Sequence, residues 1–333
     1  MKTALAYRYG PPLEVVEMHD VERPTPSDDQ VLVQVHAASV NRADLDGLAP
    51  KPNFVRLFVG LRKPRRPWLG IDVAGVVESV GSAVNRFKPG DRVFADLFGH
   101  DGPGAFSELV CASETKFQLM PEGMGFEEAA TLPHSAVLAV QGLRRRNGTT
   151  IKPGDKVLIS GASGNVGPFA IQVAKALGGE VTGVASPDKL DLVRSIGADH
   201  VIDYTKVDYT KTGDRYDWIV DTDSHHSVLA ARRALRPKGV YVTLGGNSWP
   251  IVSALVLGSL ISLFSDRYSA LMTWWKPFHP PDVDRLKQLI AAGNIKPVID
   301  RRFPLDEVAQ ALDHVHQGRA RGKVVVTMGL GRE

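Results

Sequence analysis

The chain has 333 residues, 43% hydrophobic and 23% charged, with 32 glycines and 22 prolines. That composition belongs to an ordinary folded protein, neither disordered nor collagen-like, and the length suits two domains. A net charge of +3 excludes the broadly basic surface of a nucleic-acid binder, and one cysteine, Cys111, can form neither an internal disulfide nor a clustered thiolate zinc site, which fits a reducing cytoplasm.

At the N-terminus, MKTALAYRYGPP has no apolar run of signal-peptide length, and Pro11-Pro12 would break an amphipathic transit helix. From Met1 to about Gly125 short apolar alternations are punctuated by Gly and Pro; TALAY, QVLVQVHAAS, VAGVVESVG and DRVFADL read as strands of a β-rich unit. Within it, Arg56, Arg62, Lys63, Arg65 and Arg66 crowd one proline-containing segment, read as a solvated loop. From Lys156 the style changes. KVLISGA, a helix from Val166 to Leu177, EVTGVAS, a helix from Lys189 to Ile196, HVIDY, YDWIVDTD, a helix from Val228 to Leu235 and GVYVTLGG alternate as strand and helix. Such alternation predicts right-handed crossovers and a doubly wound parallel sheet, the Rossmann arrangement, with ligands at the strand C-termini.

The stretch Ile251–Phe264 is the longest apolar run, but it is too short for a bilayer span and reads as core, pocket wall or subunit interface rather than membrane contact. DVDRLKQLIAAG and Asp306 to His316 read as helices flanking a strand, VIDRRFPL, and the closing RGKVVVTM reads as a strand that returns to the first unit. The expected division is 1–125, 126–276 and a return over 277–333.

The strongest motif is Gly161-Ala162-Ser163-Gly164-Asn165-Val166-Gly167, directly after KVLIS and directly before PFAIQVAKALG. Small residues there permit a tight turn, backbone approach to a diphosphate and close packing of helix on strand, while the helix start offers unpaired N–H groups. The pattern matches a dinucleotide fingerprint with Ala162 at its first glycine position. A hydrolase elbow with Ser163 as nucleophile is the competing reading, and Asn165 stands where that elbow needs glycine. The second strand ends Val184-Ala185-Ser186-Pro187-Asp188-Lys189, with a small hydroxyl and an ammonium where an NAD site ends in a carboxylate; this favours NADPH over NADH unless the strand end shifts to bring Asp188 to the ribose.

Several separated segments carry a resemblance over nearly the whole chain: Val40-Asn41-Arg42-Ala43-Asp44, Gly70 to Val77, Lys88-Pro89-Gly90-Asp91-Arg92-Val93, Gly104 to Glu108, Ile151 to Asp155, Gln172 to Lys175 and Gly318 to Val325. With the glycine turn they resemble the medium-chain dehydrogenase/reductase superfamily, and within it the zeta-crystallin-like quinone oxidoreductases. The resemblance implies a β-rich GroES-like catalytic domain beside the Rossmann domain, and a homodimer. Zinc-dependent relatives carry a cysteine near position 41, a His-Glu pair near 71 to 72 and a four-cysteine lobe; this chain has Asn41, Ile71-Asp72 and Cys111, so no metal is expected. His314 and His316, two apart on a helix, point to different faces and supply no replacement.

By the same resemblance Asn41 lies near the nicotinamide or the substrate carbonyl and is the catalytic candidate. Ser186, Lys189, Tyr204 and Arg319 match positions that hold the adenosine 2′-phosphate, and Leu244 and Gly245 let backbone approach the nicotinamide. Leu138 stands where many relatives have a cofactor-holding threonine. The expected activity is NADPH-dependent, zinc-independent hydride transfer to a quinone or enone, whose conjugation spreads the arriving charge so that weak donors suffice. No proton donor stands out, Asp44 and Asp72 being as apt to brace the fold. A non-enzymatic NADPH sensor or structural partner, and an alcohol or aldehyde oxidoreductase, are the alternatives.

Overall fold

A computed structural model describes residues 1–50, 56–258, 261–262 and 265–329. The chain divides into two compact units, Met1–His134, Pro277–Val283 and Ile299–Glu333 as one, and Ser135–Lys276 with Asp284–Val298 as the other. The first cut falls after His134 rather than at 125/126. The helix Phe126–Ala130 stays with the first unit because Phe126 stacks on His36 at 4.1 Å and lies under the Arg92 guanidinium at 4.4 Å. The return over 277–333 is interrupted as well. Residues 284–298 belong to the second unit, where Lys296 N–H donates to Gln172 Oε1 at 2.7 Å and Gln172 Nε2 donates back to the Lys296 carbonyl at 3.0 Å.

In the first unit β1 (Lys2–Leu5) and β2 (Glu17–Asp20) form a ribbon, and β3 (Gln30–Val40), β4 (Asp72–Val80), β5 (Arg92–Asp96), β6 (Leu109–Ser113) and β7 (Phe117–Leu119) belong to a larger sheet. β3 is its spine. Alternation sends Val31, Val33 and Val35 into the main core and Leu32 to a smaller cluster with Leu109 and Cys111, so both faces of the strand are covered. β2, β6 and β7 are too short or too interrupted to be singled out from sequence.

The second unit holds β8 (Lys156–Ser160), β9 (Glu180–Ala185), β10 (His200–Asp203), β11 (Tyr216–Asp221), β12 (Leu235–Thr243) and β13 (Tyr268–Leu271), all parallel, in the order β10-β9-β8-β11-β12-β13. Strands as continuously apolar as Val157–Ile159 and Trp218–Val220 require cover on both faces, which helices Gly167–Ala176, Leu190–Ser195 and Val228–Arg233 help to supply. Successive strands run outward in one direction after β8 and in the other after β11. The switch point therefore lies between these two, where ligands of such sheets bind. β13 was not anticipated. Of the apolar stretch 251–264, residues 259–260 and 263–264 lie outside the described residues; before them come helix Ser248–Ser253 and one π-helical turn, Ala254–Gly258. Of the arginine-rich stretch beginning at Lys51, residues 51–55 likewise lie outside. No helix among the described residues is long and apolar enough to cross a membrane.

The chain then returns to the first unit through β14 (Ile299–Pro304), helix Val308–His316 and β15 (Lys323–Thr327). β15 pairs antiparallel with β3, which completes a seven-stranded sheet.

Candidate active site

Sheet register assembles the first group of functional side chains. Ser39 on β3 lies opposite Asp72 on β4, Asp72 lies opposite Asp96 on β5, and Val324 opposite Val40 brings Lys323 level with Asn41. Four strands thus deliver polar residues to one end of an apolar sheet. Asn41 leaves β3 and caps helix Arg42–Leu48, with Asp44 at the third helical position accepting the Asn41 backbone N–H at 2.7 Å. An ammonium can only donate and a carboxylate can only accept, so the amide of Asn41 has one orientation: Lys323 Nζ donates to its Oδ1 at 2.6 Å and its Nδ2 donates to Asp72 Oδ2 at 2.8 Å. The same Asp72 oxygen accepts from Ser39 Oγ at 3.0 Å and lies 3.4 Å from Lys323 Nζ. Its other oxygen accepts the His134 backbone N–H at 2.9 Å, while the His134 ring places Nδ1 2.9 Å from Asp96 Oδ2.

Three carboxylates, one ammonium and one imidazole are therefore buried together. Burial pushes the Asp44 carboxyl up to about 7, the Asn41 N–H opposing and Asp72 adding to the rise. Asp72 also moves up through burial, restrained by Lys323, and Lys323 moves down through burial, restrained by the carboxylates. At His134 burial alone would strip the charge, but Asp96 and Asp72 outweigh it and the imidazole is raised. Asn41 is 1% exposed, with the amide that the sequence reading assigned to a substrate carbonyl engaged by Asp72 and Lys323. Sequence reasoning gave Asp96, His134 and Lys323 no place in this cluster; for Asp96 and Lys323 the available signal was a lone charge in an apolar strand, as in VFADL and GKVVV.

The second group sits at the C-terminal ends of the parallel strands. β8 runs into Gly161, whose φ of +73° lies in the left-handed region, and the turn ends at Gly167, where a Cβ would stand 2.3 Å from the Gly161 carbonyl oxygen. Helix Gly167–Ala176 starts there, and its N-cap, Val166, supplies no side-chain acceptor, so the opening N–H groups are left for a ligand. Ala162, Ser163, Gly164 and Asn165 form the rest of the turn. Ser163 is buried, with no base hydrogen-bonded to it among the described residues.

Ser186 follows β9 and Tyr204 follows β10, with the Tyr204 N–H donated to the Ala185 carbonyl at 3.3 Å. Lys189 closes the short turn after Ser186, so these three share one corner of the sheet. Asp188 enters that corner too, accepting the Ser186 hydroxyl at 2.6 Å. Leu244 and Gly245 follow β12, where Leu244 N–H donates to the Asp221 carbonyl and the Gly245 carbonyl accepts from Ser224 N–H, each at 2.9 Å. Arg319 belongs to the first unit and donates to Asp313 at 2.8 Å.

A further group escaped the sequence reading. Asp221, fully buried at the end of β11, accepts from Tyr241 Oη at 3.1 Å, and Ser224 Oγ lies 2.5 Å from Thr243 Oγ1. Burial raises its carboxyl, and the Tyr241 hydroxyl bond ties the end of β11 to β12. Among the described residues no group of three or more His, Cys, Asp and Glu side chains is arranged to hold a metal ion.

Comparison with known proteins agrees with this architecture. The alcohol dehydrogenase GroES-like domain matches residues 27–142 and the zinc-binding dehydrogenase domain matches residues 196–326. The chain is similar to the mitochondrial NAD(P)H oxidoreductase RTN4IP1 of Mus musculus, 36% identical over 90% of this chain and 82% of that protein. It is similar also to the 2-methylene-furan-3-one reductase of Solanum lycopersicum, 32% identical over 92% of this chain and 74% of the relative. The solved structure of the quinone oxidoreductase from Coxiella burnetii superimposes with a TM-score of 0.84 at 28% identity, covering 98% of this chain and 99% of that one.

Proposed function

Because the chain belongs to the medium-chain dehydrogenase/reductase superfamily, among its quinone and NAD(P)H oxidoreductases, we infer that it shares their chemistry. It is an NAD(P)H-dependent reductase that passes hydride to a quinone or an α,β-unsaturated carbonyl compound. The observation that carries this reading is the strand, glycine turn and uncapped helix start at the switch point of the parallel sheet. That turn fits a dinucleotide. Its backbone N–H groups and helix dipole suit a diphosphate, and Leu244 and Gly245 suit the approach of a nicotinamide. When bound, the cofactor supplies the hydride; the protein supplies its orientation.

The preferred cofactor in this reading is NADPH, with Lys189, Ser186 and Tyr204 at the corner that would meet the 2′-phosphate; Tyr204 is 61% exposed there. Asp188 is the counterweight, since it already takes the Ser186 hydroxyl. The reaction proceeds without zinc, because the Lys323 ammonium already neutralises Asp72 and repels a second cation from the buried carboxylates. In place of a substrate contact, Asn41 serves as the hub that fixes Lys323 and Asp72. Our reading includes a homodimer, and what supports it is that β13 ends the parallel sheet and packs on the turn Ala254–Gly258, where Leu255, Val256 and Leu257 are exposed.

The test is an acceptor screen followed by nicotinamide absorbance, run with NADPH and with NADH, on protein whose zinc content is measured. Quinone and enone should be reduced faster than simple aldehydes, with NADPH preferred and no stoichiometric zinc. Equal, negligible rates with every acceptor would sink the reductase reading, and stoichiometric zinc would sink the metal-free one.

A further inference from the structure

Four fully buried side chains lie at the turn that follows β12, all within the second unit: Asp221, Ser224, Tyr241 and Thr243. They form a line. Tyr241 Oη lies 3.1 Å from Asp221 Oδ2 and 3.4 Å from Ser224 Oγ, Ser224 Oγ lies 2.5 Å from Thr243 Oγ1, and Thr243 Oγ1 lies 3.3 Å from the Gly245 carbonyl oxygen. On the reading that Leu244 and Gly245 receive the nicotinamide, we propose that Asp221 is a positioning residue: by holding a proton it completes a line of hydroxyls that ends on the Gly245 carbonyl and fixes the turn.

Counting protons decides what the line can do. A hydroxyl has one proton to give, while a carbonyl or a carboxylate has none. Between an ionised Asp221 and Gly245 there are four contacts and three protons. One contact then sets oxygen against oxygen, either the longest, between Tyr241 and Ser224, or, when the charge draws every proton toward it, the one at Gly245. A proton on Asp221 fills all four. Asp221 then donates to Tyr241, Tyr241 to Ser224, Ser224 to Thr243 and Thr243 to the Gly245 carbonyl, which accepts the Ser224 N–H on its other lone pair at 2.9 Å.

Two features of the geometry favour that proton. Asp221 Oδ1 is buried with no hydrogen-bond partner among the described residues, a costly place for a charged oxygen and a cheaper one for the carbonyl of a neutral acid. The contact with Tyr241 is 3.1 Å, longer than the roughly 2.5–2.7 Å of a hydroxyl on an ionised carboxylate. The titratable groups that face Asp221 are Tyr241 from β12, Tyr209 from the loop after β10 and Asp223 two residues on. Its register partners, Ser160 on β8 and Thr243 on β12, do not titrate. Burial lifts the Asp221 carboxyl above the usual range and Asp223 adds to the rise, while burial also pushes both phenols up, so they keep their protons.

The experiment compares Asp221→Asn, Asp221→Leu and Tyr241→Phe in the full chain, titrated with NADPH and with 2′-phospho-ADP-ribose, which is NADPH without its nicotinamide. Asp221→Leu and Tyr241→Phe should weaken NADPH by about three- to tenfold and leave the shorter nucleotide within about twofold. Asp221→Asn, whose amide can donate to Tyr241 as the acid does, should recover most of what Asp221→Leu loses. In the infrared spectrum Asp221→Asn should lose the carbonyl band of one protonated carboxyl. Equal weakening of both nucleotides overturns the positioning role, since a general loss of structure touches both. Loss of a carboxylate band instead, or an Asn variant as weak as the Leu one, overturns the proton. A wild type that binds neither nucleotide overturns the cofactor reading and the proposal with it. Tyr241→Phe keeps the ring and removes only the hydroxyl, so it decides the question if Asp221→Leu fails to fold.

Discussion

At the ends of β8 and β11 the groups offered to a ligand are main-chain N–H groups on a turn of small residues; at the end of the seven-stranded sheet they are ionisable side chains brought abreast by register. The first construction costs little to leave empty, since amides at a helix start can be solvated. The second is never neutral in that sense. Asp44, Asp72, Asp96, His134 and Lys323 are buried whether or not anything binds, and each depends on the others to offset its lost hydration. Damage to the turn should therefore appear in binding, and damage to the cluster in stability and pH response.

The largest break follows from removing the one ammonium. Lys323→Met leaves Asp72 buried without its counterion and should destabilise the first unit by about 3–5 kcal/mol. Combining it with Asp72→Leu should restore much of that loss, because an apolar pair replaces an ion pair with little net penalty. Urea unfolding of the wild type, the single variant and the double variant measures both; a single variant as stable as wild type would mean that the cluster is wetter than its burial implies.

A smaller effect comes from Asp44. Its carboxyl is raised to about 7 in the folded chain and lies near 3.8 when unfolded, so the folded state holds the extra proton between these values. Its contribution is complete below about 3.8 and is lost as pH rises through about 7, so stability should fall over that window. Asp44→Asn, which keeps an acceptor for the Asn41 N–H, should flatten the fall. At about 2–4 °C of Tm per kcal/mol for a protein of this size, thermal melts across the window resolve the difference. Parallel Tm curves for variant and wild type would show that Asp44 ionises freely in the folded state.

The same contrast explains what could be read from the chain. The alternation of strands and helices, the turn from Gly161 to Gly167 and the corner at Ser186 and Lys189 are local in sequence, so their chemistry is visible in a short window. Asn41, Asp72, Asp96, His134 and Lys323 come from five distant places, and what unites them is the pairing of Ser39 with Asp72 and of Asp72 with Asp96. Register is a property of the folded sheet, so Asp72 and Asn41 could be noticed without the partners that hold them. The cut at His134 was hidden for a similar reason. Phe126 is held by stacking on His36, ninety residues earlier, and no feature near position 126 announces it.

The smallest expected effect lies where the turn region does use side chains. The diphosphate would be met by backbone, common to both nicotinamide cofactors, whereas the side chains at the corner of Ser186, Lys189 and Tyr204 would sense the 2′-phosphate. Lys189 lies near the surface, where solvent and salt weaken a charge pair to about 1 kcal/mol or less. Lys189→Ala should therefore weaken NADPH by about three- to fivefold while leaving NADH within about twofold, and the loss should shrink as salt is raised. Fluorescence titration of both cofactors at two ionic strengths reads this directly. Equal weakening of NADPH and NADH would move Lys189 from the phosphate to the fold of its own turn, and would leave Asp188 as the side chain that sets the preference.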